Sequence, residues 1–413
     1  MHDPESSLMI AALLFTGALI AIWALFARAL GRWRLMGPLA MAIGGAVAGV
    51  VIGDRVGFAL FLNSNAAERI AELVLALLLF VDATEVRIGA MKAVRGPVLR
   101  LLFIALPVSR FLAWMFASVL LPELSLAVTL ALACVIVPVD FSPVTSIVKD
   151  TAIPQRLRHI LNLESGYNDG IITPLFLFAL ALAGDAKHGG PDAPLGQAIP
   201  AFLIAVATGL AVGFAYGMLS NLANRRSWFS AQSMRIGLVA VPLLTYALAL
   251  SVHGNGFVAV FVAGTVFRMV RRTRELHEEL SLAEDISVIN NMVLWFALGA
   301  SVIFIGQVLG NVWPVLLLVI LALTVIRTVP VLAGLLGSQL AGRERLLIAL
   351  LGPRGTASVV FGLLAFNAIP DPDSAAIVIA GTVFLLGGSV LLHGIGTQPV
   401  LRVLVPSARR QLR

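Results

Sequence analysis

Residues 160–183 read ILNLESGYNDGIITPLFLFALALA, which places two acidic residues, Glu164 and Asp169, inside a long and otherwise apolar segment. About 20 apolar residues in a helix are enough to cross a hydrocarbon core of about 30 Å. A charge inside such a helix costs several kcal/mol, so it needs a partner or a function. The segment therefore predicts a membrane-spanning helix that carries a functional site.

The rest of the chain has the same apolar character. Of its 413 residues, 59% are hydrophobic and 12% are charged, against about 25% charged in soluble domains. We predict an all-α, polytopic integral membrane protein with about thirteen transmembrane helices. The predicted spans are 8–26, 35–53, 68–86, 97–120, 124–147, 158–183, 197–221, 234–252, 255–270, 286–309, 312–337, 346–369 and 374–401. With only short loops between them, residues 1–413 are expected to form a single transmembrane domain without a separate soluble domain.

The basic residues predict the orientation of these spans. With the N-terminus outside, most of the 29 Lys and Arg residues fall in or beside cytoplasmic loops or the C-terminal tail. This is the positive-inside pattern, and it explains the net charge of +7 better than a nucleic-acid partner does. We expect a multi-pass protein of the cell membrane with a cytoplasmic C-terminus. The single cysteine, Cys134, lies in an apolar run and excludes a disulfide within the chain.

Helix-breaking residues interrupt two of the spans. The fifth contains Val137-Pro138-Val139-Asp140-Phe141-Ser142-Pro143, and the twelfth contains Gly352-Pro353-Arg354-Gly355. Backbone groups released at such breaks must face protein or a wet cavity. A simple proline kink in each helix is the alternative. Two interrupted spans in different halves of a chain, each with a charge, favour the ion site of a transporter.

The remaining intramembrane charges divide into two groups. Glu164 with Arg327 and Arg354 is predicted to form a buried structural ion pair, since guanidinium groups bind carboxylates in a bidentate manner. Asp140 and Asp169 then have no obvious basic partner. A buried carboxylate without a counter-charge must bind a proton or a metal cation. Competition between these two ligands is the chemistry of a cation/proton antiporter.

Oxygen ligands suit a hard monovalent cation. Ser165, the amide of Asn168 and carbonyls released between Pro138 and Pro143 are the candidates. Asp82, near the inner end of the third span, is either a further cation-binding residue or an interfacial one. Arg110, inside the fourth span, is expected to extend towards the membrane surface or to pair with a neighbour.

These residues also resemble a known family. Glu164-Ser165-x-x-Asn168-Asp169-Gly170 resembles the Asn-Asp signature of NhaP-type antiporters and their sodium/proton exchanger relatives. Asp140 occupies the position of the aspartate in their Thr-Asp-Pro motif. Further similarity covers essentially the whole chain and includes Phe80-Val81-Asp82, Asn255-Gly256-Phe257, Arg327 and Gly352-Pro353-Arg354-Gly355 with Thr356-Ala357-Ser358.

The resemblance implies an inverted-repeat fold of thirteen helices, a homodimer, and a mobile bundle that carries one cation in exchange for one proton. It also implies electroneutral exchange, because Asn168 precedes the key aspartate. One departure is Val139-Asp140-Phe141, which lacks the threonine and proline of the family motif. We expect no enzymatic activity and no cofactor. Na+ is the first choice of cation, ahead of K+ and Li+, and the alternatives are a cation-coupled symporter of an organic solute or a channel.

Overall fold

The protein is helical throughout the part of the chain that the structure describes. The computed structural model describes residues 4–32, 37–52, 65–85, 88–141, 153–184, 195–273, 275–304 and 312–404. Every regular element within these ranges is a helix. This confirms the predicted all-α class.

We number the helices by the predicted span to which each corresponds. The first seven are α1 (Pro4–Arg32), α2 (Gly37–Ile52), α3 (Asn65–Glu85), α4 (Ile88–Arg100 and Leu106–Leu120, joined by a π-helical turn at Leu101–Ala105), α5 (Leu126–Ile136), α6 (Gln155–Leu182) and α7 (Leu195–Arg225). The last six are α8 (Ala231–Ser251), α9 (Gly256–Val270), α10 (Leu276–Ala300), α11 (Val312–Leu323 and Val325–Gly334), α12 (Gly342–Leu350 and Thr356–Ala368) and α13 (Pro372–Leu404).

Length and composition agree with a membrane location. Among the described residues, seven helical segments are long and apolar enough to cross a membrane, and four shorter apolar helices accompany them. The short ones include α5 and the second part of α12, the two predicted sites of interruption. The total number of spans stays a prediction.

Both sites of interruption have the expected backbone. α5 ends at Ile136, and residues 137–141 continue without helix. α12 loses its helical hydrogen bonds between Leu350 and Thr356. Proline explains each stop, because it removes a backbone donor and clashes with the preceding turn. The remainder of the fifth predicted span, including Ser142 and Pro143, lies outside the described residues.

Small residues allow close packing between pairs of helices. A side chain on Gly45 or Gly299 would collide with backbone atoms of the facing helix in the α2–α10 pair. Gly209 and Gly213 hold the same position between α7 and α9. Helices in a membrane associate through close approach of this kind. Lipid tails are themselves apolar, so moving apolar side chains from lipid to a helix interface releases little free energy.

A second group of helices surrounds the breaks. α5 packs against α4, α6 and the second part of α12, and α13 packs along both parts of α12. The second part of α12 is buried over nearly its whole length. The interruptions therefore lie in the protein interior, where polar groups can satisfy them.

Candidate functional site

The two helix breaks cross and bind each other. The backbone N–H of Asp140 donates to the carbonyl of Pro353 at 2.9 Å. In return, the backbone N–H of Thr356 donates to Oδ2 of Asp140 at 2.6 Å. Thr356 is the first residue of the second part of α12, so the Asp140 carboxylate lies at the positive end of that helix dipole. The carboxylate of Asp140 is thus bound by a backbone N–H at a helix start. A sequence pattern does not reveal such a partner.

Arg354 binds the opposite ends of the broken helices. Its guanidinium donates to the carbonyls of Ile136 at 2.9 Å, Gly352 at 2.9 Å and Ala322 at 3.3 Å. Ile136 is the last residue of α5, and Ala322 lies at the end of the first part of α11. A positive charge at these carboxyl-terminal ends complements their negative dipoles and their unpaired carbonyls.

The predicted triad is therefore a pair. Arg327 donates from Nη1 and Nη2 to the two carboxylate oxygens of Glu164, at 2.6 and 3.1 Å. Arg354 is not hydrogen-bonded to Glu164, and its donors serve the carbonyls instead. The prediction placed both arginines on the carboxylate because carbonyls at a helix break carry no signature in a sequence. Glu164 and Arg327 link α6 to α11 within the buried core.

Asp169 is a buried carboxylate with an oxygen that no described residue pairs. Its side chain is 3% exposed, and Oδ1 accepts no hydrogen bond from any described residue. The hydroxyl of Thr173 donates to the backbone carbonyl of Asp169 rather than to the carboxylate. Burying an unpaired carboxylate is costly, so this group is suited to bind a proton or a cation.

Asn168 fixes α6 to the break after α5. Its Nδ2 donates to the carbonyl of Val139 at 2.8 Å, and its Oδ1 has no donor among the described residues. One of the carbonyls that the sequence offered as a cation ligand is therefore bound to Asn168. Oδ1, which no described residue pairs, is thus an oxygen that can accept a ligand beside Asp169 in the chain.

A cavity of about 670 Å³ leads towards these residues. It opens at the end of the bundle where α3 and α9 finish and α6 and α10 begin. Asp82 and Ser165 both line it, with Asn162, Arg268 and Glu284. Asp169 follows Ser165 by four residues, so the two lie on one face of α6, about one turn apart. The structure therefore places Asp82 on the approach to the site rather than at the crossing.

Three polar residues at the crossing were not predicted. Ser389 Oγ accepts from the backbone N–H of Arg354 at 2.7 Å, and His393 Nε2 accepts from that of Gly352 at 3.4 Å. Asn291 of α10 accepts from the Thr356 hydroxyl at 2.7 Å. Each is an uncharged or weakly basic polar residue in a largely apolar helix, and such residues usually serve helix packing. The available signal in the sequence was that these residues lie at about the same membrane depth as the helix breaks.

Arg110 lies in the protein interior. The side chain is 6% exposed, which does not fit an extension towards the membrane surface. Its Nε and Nη2 atoms donate no hydrogen bond within the described part of the chain, and pairing with a neighbour stays a prediction. The helix that carries it packs on α5, and α5 packs on α6, the helix of Asp169.

Crossed helix breaks, a buried carboxylate and a polar approach define this protein as a secondary transporter of the antiporter fold. The chain belongs to the sodium/hydrogen exchanger family, whose transmembrane profile matches residues 10–403. This confirms the resemblance read from the motifs, and it favours cation/proton exchange over the symport of an organic solute.

Similar proteins agree with this assignment. The Na+/H+ antiporter NhaH of Halobacillus dabanensis is 28% identical over 296 residues, which cover 70% of this chain and 71% of that protein. The K+/H+ antiporter NhaP of Alkalimonas amylolytica is 25% identical over 245 residues, or 59% of this chain and 42% of that protein. The sodium/proton antiporter MjNhaP1 of Methanocaldococcus jannaschii shares the fold, with a TM-score of 0.78 at 20% identity, over 96% of this chain and 99% of that chain.

Proposed function

We propose that this protein exchanges a monovalent cation for a proton by alternating access, with Asp169 as the residue that binds either one. The observation that carries the proposal is the Asp169 carboxylate, which is buried beside the crossing and has an oxygen without a donor. A cation or a proton compensates its charge. The empty, anionic site is costly to move through an apolar barrier, so only the loaded form changes sides.

The other residues have separate roles in this proposal. Asn168 and Ser165 contribute oxygen ligands next to Asp169, and Asp140 adds negative charge while it holds the start of the second part of α12. Asp82 attracts cations into the cavity. Glu164 and Arg327 keep α6 and α11 together.

Na+ is the proposed cation, and K+ is the second candidate. The relatives include both a Na+/H+ and a K+/H+ antiporter. In this chain Val139 stands where the family motif has threonine, so no hydroxyl is available there, and its carbonyl binds Asn168. The shell of protein oxygens around the ion therefore differs from that of the family motif, and this keeps K+ as a candidate.

We also propose the arrangement of the whole protein. Residues 1–413 form one transmembrane domain that assembles as a homodimer in the lipid of the cell membrane, with the N-terminus outside and the C-terminus in the cytoplasm. The positive-inside pattern of the sequence supports this orientation. The cavity then opens to the cytoplasm.

Transport by the purified protein in liposomes tests the proposal. An imposed proton gradient should drive uptake of Na+, and K+ and Li+ are measured in parallel. Asp169→Asn keeps the size of the side chain but removes the charge that both ligands need, so it should fold and show no exchange at any pH. Asp373→Asn is the matched control, because it makes the same change on an exposed residue at the start of α13.

Thermal melting gives a second reading of the same variant. Cations should stabilise the parent, because a ligand that binds only the folded state raises its stability. Asp169→Asn should be at least as heat-stable as the parent and should lose the cation effect. Substantial cation flux through well-folded Asp169→Asn would overturn the proposal.

A further inference from the structure

Arg110 is a buried charge for which the mechanism above has no use. It lies on the second part of α4, on the buried face that also contains Ser109, Ala113 and Ala117. Nothing in the described ranges accepts a hydrogen bond from its Nε or Nη2. A buried guanidinium of this kind destabilises the fold, so its presence calls for an explanation in terms of function.

Within the described residues, the second part of α4, which carries Arg110, packs on α5, and α5 in turn packs on α6 and the second part of α12. The titratable groups of these three helices that interact electrostatically with Arg110 are Cys134, Asp169 and Arg354. Arg354 is already bound to three carbonyls, and Cys134 is a buried thiol. Asp169 is the one anionic group among them, and its Oδ1 accepts no hydrogen bond from a described residue. Two opposite charges, each with atoms that have no hydrogen-bond partner in the described ranges, thus lie in the same buried group of helices.

We propose that Arg110 is a fixed positive charge that weakens the binding of the transported cation at Asp169. The inference rests on the proposed function. A guanidinium is always protonated, so its effect does not change with pH. It repels any cation bound at Asp169 and partly compensates the carboxylate when the cation has left. Release of the cation is thereby favoured, which suits a carrier that must bind and release its cargo in every cycle.

Three substitutions of the same residue separate charge from shape. Arg110→Gln and Arg110→Met remove the charge and leave side chains of different polarity, whereas Arg110→Lys retains the charge. Two readouts are measured on residues 1–413. The first is the concentration of NaCl that gives half-maximal thermal stabilisation, with choline chloride as the ionic-strength control. The second is the KM and kcat of proton-driven Na+ uptake in liposomes.

The two neutral variants should bind Na+ more tightly. We expect the half-stabilising concentration and KM to fall by about tenfold, the scale of two unit charges about 12 Å apart at an effective dielectric constant of about 20. kcat should not rise, because tighter binding slows release. Arg110→Lys should stay near the parent. Arg235→Gln, which removes one positive charge from an exposed position of α8, should leave both readouts unchanged.

Three results would overturn this inference. Neutral variants with the cation affinity of the parent would show that the charge does not act on the site. Weaker cation binding would make Arg110 a support of the ligand shell. Loss of folding in both neutral variants, with a folded Arg110→Lys, would make it a structural charge. If the parent itself shows neither cation-dependent stabilisation nor exchange, the proposed function fails, and this inference fails with it.

Discussion

At the scale of single residues, the site uses its charges in two different ways. Asp140 and Arg354 are bound to backbone groups at helix ends, which fixes their positions and satisfies their polar atoms. Asp169 is buried with an oxygen that accepts no hydrogen bond from the described residues. Because polar groups buried without partners are rare, the difference supports the proposed division between residues that build the crossing and Asp169 as the residue that binds the ligand.

Glu164 offers a test of this division. Removing one member of a buried ion pair leaves the other charge uncompensated, at a cost of about 3–5 kcal/mol. Glu164→Ala should therefore lower the melting temperature and yield as well as transport. Replacing both partners, as Glu164→Met with Arg327→Met, should recover most of the lost stability, because a pair of apolar residues leaves no buried charge.

The control is Glu278→Ala, which removes an exposed carboxylate near the start of α10 and should not change the melting temperature. If Glu164→Ala melts like the parent and loses only cation affinity, Glu164 is a cation ligand. That result would contradict the structural role given to it here.

At the scale of elements, residues in the break of α12 contact three other elements: the segment after α5, α11 and α13. Gly352 faces the Arg327 side chain of α11, and a methyl group at this position would overlap it. Arg327 cannot move away easily, because it is bound to Glu164 and to the carbonyls of Ile348 and Leu351. The absence of a side chain at Gly352 is therefore what allows the ion pair to form beside the break.

Gly352→Ala should accordingly reduce the stability of the protein. Overpacking of this kind costs about 1–3 kcal/mol, and it should appear as a lower melting temperature. Gly387→Ala in α13 is the matched control, since a methyl group there meets no neighbouring atom. In a helix it should be neutral or stabilising. Equal melting temperatures for the two variants would show that Arg327 adjusts without loss.

Elements and residues could be predicted from the sequence where the side chain itself is unusual for its surroundings. A charge or a proline in an apolar run is conspicuous, which is why Asp169, Asp140, Glu164, Arg327 and both breaks could be found. The partners of Arg354 could not be found, because they are carbonyls that every residue has. Ser389 and Asn291 were missed for a related reason: an uncharged hydroxyl or amide in a largely apolar helix is typical of packing.

At the scale of the whole molecule, the charge balance of the site predicts electroneutral exchange. Asn168 is neutral and bound to Val139, and Asp140 is held by the backbone of Thr356. One carboxylate, Asp169, then remains to carry one cation in one direction and one proton in the other. The transported charge is equal in the two steps, so the membrane potential should not drive the cycle.

Na+-driven pH changes in liposomes measure this directly. With the voltage set by a potassium gradient and valinomycin, the initial rate should be the same at positive, zero and negative potentials. A rate that grows or reverses with voltage would mean that a second charge moves, and Asp140 would then be the residue to examine.

The mutual binding of the two helix breaks also affects how the protein is made. Asp140 and Thr356 are 216 residues apart in the chain, and ribosomes add about 5–20 residues per second. The backbone N–H of Asp140 and the carbonyl of Ile136 therefore wait about ten to forty seconds for their partners Pro353 and Arg354 in α12. Unpaired backbone groups cannot remain in lipid. The early half of the protein must therefore complete its insertion late, and a nascent chain that stops before α12 is expected to be a substrate for membrane quality control.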